Sequence, residues 1–139
     1  MSDVFQIAPP EITRTWDRIV TFFDPIFDKC LTHDSEDVRK SLLLQQTQLW
    51  VQWNKETKVM EAAFVTEFVG YPKGIWVRLW MAGTARETAV DYDAVRGALT
   101  IWAKHNKARG FEIIGRQGWL RKLGESRLEG LCLRSVFDV

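Results

Sequence analysis

Apolar positions fall into two regimes along the chain. Over the first 47 residues they recur at helical spacing: Ile12, Trp16, Ile19, Val20 and Phe23 form one stripe, and Val38, Leu42 and Leu43 another. Pro9-Pro10 suits the opening of the first helix, and Pro25 ends its pattern by disfavouring helix at Asp24. Ile26, Phe27, Cys30 and Leu31 predict a shorter helical piece. Asp34-Ser35-Glu36-Asp37 has the acids and capping side chain of a helix start. This whole segment is expected to be helical.

The period then shortens. Residues 48–53, 59–69 and 75–81 are β-branched and aromatic runs. They are separated by the polar turn 54–58 and by Gly70-Tyr71-Pro72-Lys73-Gly74, where Pro72 pre-sets its φ angle. Three such runs predict an antiparallel meander. Apolar residues at both parities (Trp76 and Trp80 against Ile75, Val77 and Leu79) require both faces of that sheet to be covered. Ala82-Gly83-Thr84-Ala85-Arg86 is expected to be a small-residue loop. A helix follows over 91–109, with Val95, Ala98, Leu99 and Trp102 on one face and Gly110 as its stop. Residues 111–114 predict a strand, 117–123 a short helix, and 128–139 one or two strands. The order α-α-β-β-β-α-β-α-β predicts an α+β fold, with a mixed, mostly antiparallel central sheet and helices on both faces. No repeat or linker interrupts residues 1–139, so one domain is expected.

Composition narrows the class. Of 139 residues, 46% are apolar and 27% charged, which excludes a disordered chain. No apolar run is long enough to suggest a membrane span, and Met1-Ser2-Asp3-Val4 does not begin a secretory signal. Cys30 and Cys132 form neither a disulfide framework nor a zinc pattern, so a cytoplasmic protein with reduced thiols and no metal is expected. The net charge of +1 conceals an asymmetry: residues 1–70 carry 7 basic and 11 acidic side chains, residues 71–139 carry 12 and 7. The basic excess lies between Arg96 and Arg127 and favours an anionic ligand or partner, unless it is a solvated face. No aromatic residues interleave with it in a nucleic-acid-binding pattern, so nucleic acid is not an expected partner.

Five phrases carry a family likeness: Gln48-Leu49-Trp50-Val51, Val65-Thr66-Glu67 with Tyr71-Pro72 after it, Ala82-Gly83, Trp102-Ala103, and Gly115-Arg116-Gln117-Gly118-Trp119. With the element order they resemble the GNAT superfamily of N-acetyltransferases, and in particular the short GNAT-like proteins of tailed bacteriophages and prophages. The resemblance implies acetyl-CoA as cofactor, an amine as acceptor, and a pyrophosphate held where a strand passes through a tight loop into a helix. Backbone N–H groups and the positive helix end converge at such a place. The corresponding stretch here is Met81, Ala82, Gly83, Thr84, Ala85 and Arg86. It has a single glycine, and Glu87 follows it. Leu120 stands where the family's tyrosine is expected.

For chemistry, Glu67 is the candidate base, alternatively a strand carboxylate ion-paired with Arg78; Glu61 shares its parity. Trp76 and Trp80 share a strand face and are candidates to line a substrate cleft, though core positions explain most tryptophans. Arg116 either braces strand ends or meets a ligand anion. Two functions are expected: an acyl-CoA-dependent N-acetyltransferase, or a non-catalytic GNAT-fold protein acting with virion proteins in phage assembly. A homodimer is compatible with either.

Overall fold

The computed structural model describes residues 2–114, 127–129 and 132–136. Arg116, Leu120 and the expected helix over 117–123 lie outside them. The chain opens with a strand, β1 (Ser2–Ile7), rather than a helix. Ala8 precedes a proline and is held extended at φ −65°, ψ 145°, so helix cannot propagate backward from Pro9. Val4 and Ile7, three positions apart, pack on opposite sides of the sheet, which is strand behaviour. Helix α1 (Pro9–Ile19) follows with a proline in its first turn; it tightens into a 3₁₀ turn over Val20–Phe23 and restarts as α2 (Asp24–Phe27). Pro25 therefore begins a new helical turn, since its missing N–H costs nothing there. Helix α3 (Ser35–Leu43) carries a reciprocal cap: Asp34 accepts from the Asp37 N–H at 2.9 Å and Asp37 accepts from the Asp34 N–H at 3.0 Å.

Strands β2 (Gln48–Asn54), β3 (Val59–Tyr71) and β4 (Gly74–Thr84) form the expected antiparallel meander. Helix α4 (Tyr92–His105) crosses to β5 (Gly110–Ile114), and β6 (Arg127–Glu129) and β7 (Cys132–Val136) close the sheet. The strand order is β1-β2-β3-β4-β5-β7-β6, and β4–β5 is the parallel pair. This is the α+β architecture expected from the pattern, with two further corrections besides β1. Ala82, Gly83 and Thr84 are not loop but the end of β4, paired with Phe64, Ala63 and Ala62. Helix α4 ends at His105, closed by Lys107 at φ 62°, while Gly110 opens β5 instead of capping the helix.

Both faces are covered. Ile12, Trp16, Ile19, Phe23, Val38 and Leu42 from the N-terminal helices pack on Leu49, Val51, Ala63, Val65 and Met81. On the other face Val95 and Leu99 of α4 pack on Trp50, Ala62, Phe64 and Leu79, with Trp102 against Trp50 and Phe68. Two irregularities interrupt the ladders. The β2–β3 register passes over Glu61, and the β3–β4 register passes over Trp80. Each is one extra residue on its strand, which bends the strand and re-aims the side chain.

Among the described residues no helix is long and apolar enough to cross a membrane, and no group of three or more potential metal ligands forms.

Candidate active site

The site begins where two parallel strands part. Among the described residues β4 pairs with β5 only at Val77↔Phe111 and Arg78↔Glu112, yet β4 stays paired with β3 as far as Thr84. From Leu79 onward β4 thus has, among the described residues, a strand partner on one side only. The bulge at Trp80 sits just past this fork.

Beside the fork, α3, the segment before it and the β3–β4 floor border an open cavity of about 450 Å³. His33, Asp37, Lys40 and Leu44 form its walls, and Glu67 and Trp80 its floor. The His33 ring meets Trp80 edge-on, with centroids 5.1 Å apart. An adjoining hollow shares Thr32, His33 and Asp37 and holds the Cys30 thiol, whose pKa is lowered by hydrogen bonds from Thr32 and from the His33 backbone.

Glu67 is anchored from below. Register places Glu67, Arg78 and Glu112 side by side on β3, β4 and β5, with Arg134 at the next position on β7. Arg78 Nη1 donates to Glu67 Oε1 at 3.3 Å, while its Nε and Nη2 reach Glu112 Oε1 at 2.9 and 2.8 Å. Glu112 is fully buried and also accepts from the Tyr71 hydroxyl, which lies 3.0 Å from each of its oxygens. Burial works against the Arg78 charge, but the hydrogen bond and attraction of Glu112, helped by Tyr71 and Glu67, hold its pKa above the ordinary value. The ion pair expected between Glu67 and Arg78 is therefore present, and it coexists with Glu67 facing a cavity.

Glu61 does not join Glu67. Passed over by the register, it turns to the β1–β2 side, where Ser2 donates at 2.6 Å, Gln52 at 3.1 Å and Asn54 at 3.5 Å. Those bonds, that from Ser2 first, lower its pKa against a small opposing effect of burial. Stability from this carboxylate is thus complete above its ordinary pKa and is lost as pH falls through the lowered one. Urea midpoints measured across acid pH should fall along that limb, and Glu61→Gln should flatten it.

The segment after β4 is fastened down. Ala85 N–H donates to the Glu61 carbonyl at 2.9 Å, and the Thr88 hydroxyl donates to the same oxygen at 2.7 Å. Buried Gln52 donates to the Ala89 carbonyl at 3.0 Å and accepts from Asp91 N–H at 2.8 Å. Asp91 caps α4 by accepting from Ala94 N–H at 3.1 Å. The helix end expected to face a pyrophosphate is thus capped by an acid, and Asp93 adds a second in the first turn. Gly83 meets another part of the chain: a Cβ there would overlap the Phe22 carbonyl oxygen and lie 2.7 Å from the carbonyl carbon.

Of the residues singled out in the sequence, the structure brings Glu67 and Trp80 to one cavity. Met81 is buried in the core under the N-terminal helices, Arg86 is exposed beyond the strand end, and Trp76 sits opposite Val69, away from the cavity walls. His33, Asp37, Tyr71 and Glu112 were missed. Tyr71 stood in the Tyr71-Pro72 phrase and shared the parity of Glu67 four residues away, but it was expected in the turn over 70–74, whereas β3 runs on to include it.

No protein-family profile matches the sequence, and no curated protein matches it. Solved structures do. A GNAT-family acetyltransferase from Brucella melitensis, in complex with acetyl-CoA, superposes with a TM-score of 0.68 over 100% of this chain and 90% of its own, at 13% identity. This is the GNAT fold. A predicted acetyltransferase with acetyl-CoA from Clostridium acetobutylicum gives 0.65, at 11% identity over 94% of this chain and 93% of its own. An aminoglycoside acetyltransferase from an uncultured soil sample gives 0.66, at 8% identity over 92% of each chain. At such identities the likeness is one of fold. Among the described residues, the pairing of β4 with β5 in this sheet goes no further than Arg78.

Proposed function

We propose that this chain transfers an acyl group from acetyl-CoA to an amine, with the donor along the parted edge of β4 and the acceptor in the Glu67–Trp80 cavity. One observation carries the proposal: Trp80 belongs both to the stretch of β4 that has left β5 and to the floor of the cavity. A one-sided strand edge offers N–H and C=O groups at the spacing an amide-containing pantetheine arm needs. Main-chain atoms of Met81, Ala82, Gly83 and Thr84 would bind that arm, and exposed Arg86 would meet the diphosphate. Ala85 N–H is committed to the Glu61 carbonyl, so Ala85 contributes only its position. The residues fit the arm better than the diphosphate, because Asp91 and Asp93 occupy the helix end. Arg116 lies outside the described residues.

Acetyl-CoA, when bound, supplies a thioester-activated acetyl group. Glu67 receives the proton of an ammonium acceptor and so leaves the nitrogen lone pair available for attack. Trp80 offers an aromatic surface that favours a cation before that transfer. The test is a thermal-shift titration. Acetyl-CoA at 100 times its Kd should stabilise the chain by about 2.7 kcal/mol. No shift at millimolar cofactor rejects the proposal.

The acid-capped helix and the occupied space at Gly83 favour a second reading, a GNAT-fold protein without transfer activity. The resemblance of its sequence phrases to short GNAT-like phage proteins is the ground for placing this second reading in virion assembly. Mass spectrometry of purified particles from a host carrying the gene would detect the chain if this reading holds, and its absence would remove it.

A further inference from the structure

The polar row across β3, β4 and β5 has a division of labour that the proposed transfer does not by itself require. We propose that Glu112, secured by Tyr71, is a positioning residue that keeps Arg78 from closing on Glu67. This rests on the reading of Glu67 as the base. Arg78 has a planar fork, and a fork facing one carboxylate ordinarily closes on it with two parallel hydrogen bonds. Here the fork is turned away. Nε and Nη2 are both directed at Glu112 Oε1, Nη2 lies 3.4 Å from the Tyr71 oxygen, and only Nη1 reaches Glu67, at the longest of the carboxylate distances.

Burial explains why Glu112 wins the contest. It is fully enclosed, whereas the Glu67 side chain is 28% exposed and has water as an alternative partner. An unpaired charge at Glu112 would be far costlier than one at Glu67. The Tyr71 hydroxyl, donating to Glu112 from β3, fixes the carboxylate to which the guanidinium turns. Arg78↔Glu112 is also the last described pair of the β4–β5 ladder, so the same contact stands at the apex of the fork. A carboxylate gripped by both arms of an arginine is a poor proton acceptor; one touched by a single Nη1 keeps lone pairs for the cavity.

The experiment is a ¹³C NMR titration of the Glu67 side chain in the full-length protein, which needs neither donor nor acceptor. Among the described residues, the charged and titratable groups around it are Arg78 on β4, Tyr71 on β3, Glu112 on β5, Asp37 and Lys40 on α3, and His33 before it. In Glu112→Gln the Glu67 midpoint should fall by about one unit or more, as Arg78 turns to its remaining carboxylate. Tyr71→Phe removes no charge and keeps the ring. By leaving buried Glu112 with one donor fewer, it should draw Arg78 further onto Glu112 and raise the Glu67 midpoint, opposite to Glu112→Gln, which separates repositioning of Arg78 from simple loss of a negative neighbour. An unchanged or lowered midpoint in Tyr71→Phe overturns the proposal, even if Glu112→Gln shifts it or fails to fold. A wild-type chain that ignores acetyl-CoA would reject the transfer reading and leave the NMR result intact, so the two failures are distinguishable.

Discussion

Glu67→Gln is expected to lower acetyl transfer by about 10²- to 10⁴-fold while leaving stabilisation by acetyl-CoA unchanged. The substitution keeps the shape of the side chain and an oxygen for Arg78 Nη1, but an amide cannot take the proton of an ammonium acceptor. The structural side effect should be small. The Glu67–Arg78 pair is partly exposed on both sides, and pairs of that kind contribute about 0–1 kcal/mol. Steady-state rates together with a cofactor-dependent melting shift separate the two quantities. If the variant turns over like the wild type, the base is elsewhere and the cavity beside Trp80 is not the acceptor site.

The second large effect concerns packing. Gly83→Ala should destabilise the fold by about 3 kcal/mol, the upper part of the range for forcing extra atoms into a packed site. The added methyl would meet the backbone of Phe22, in the 3₁₀ turn after α1, and backbone cannot rotate away as a flexible side chain could. Urea unfolding should show a lower midpoint with an unchanged slope. This outcome would assign the glycine to the junction between β4 and the N-terminal helices. A variant as stable as the wild type would show that the junction yields, and the reason for glycine would then lie with a ligand.

The Gly83 case shows how sequence legibility ran out at the site. A glycine after a strand and before a helix matched a phosphate loop in composition, but the same residue type also serves wherever two backbones must touch. Which of the two holds depends on where Phe22 lies, 61 positions away in the chain. His33 illustrates the same limit. Nothing near it in sequence marks it as a site residue, and it becomes one because α3 lays the segment before it against the Trp80 ring.

Local pattern was sufficient for most elements, because burial of one face imposes a period of 3.6 or 2 on neighbouring residues. The stripe Ile12–Trp16–Ile19, the cap at Asp34 and the three-strand meander all follow from that constraint. β1 escaped it: six residues with two core contacts carry too little periodicity to distinguish a strand from a helix start.

What the chain alone determined, then, is an α+β sheet covered on both faces. The tertiary structure decided everything set by register. One extra residue at Trp80 and one at Glu61 sent their side chains to different partners, and Glu67, Arg78 and Glu112 met in one row although 11 and 34 positions separate them. The reason is physical. Periodicity is enforced between neighbours along the backbone, whereas the pairing of strands is a choice among distant segments, made only when the whole sheet closes.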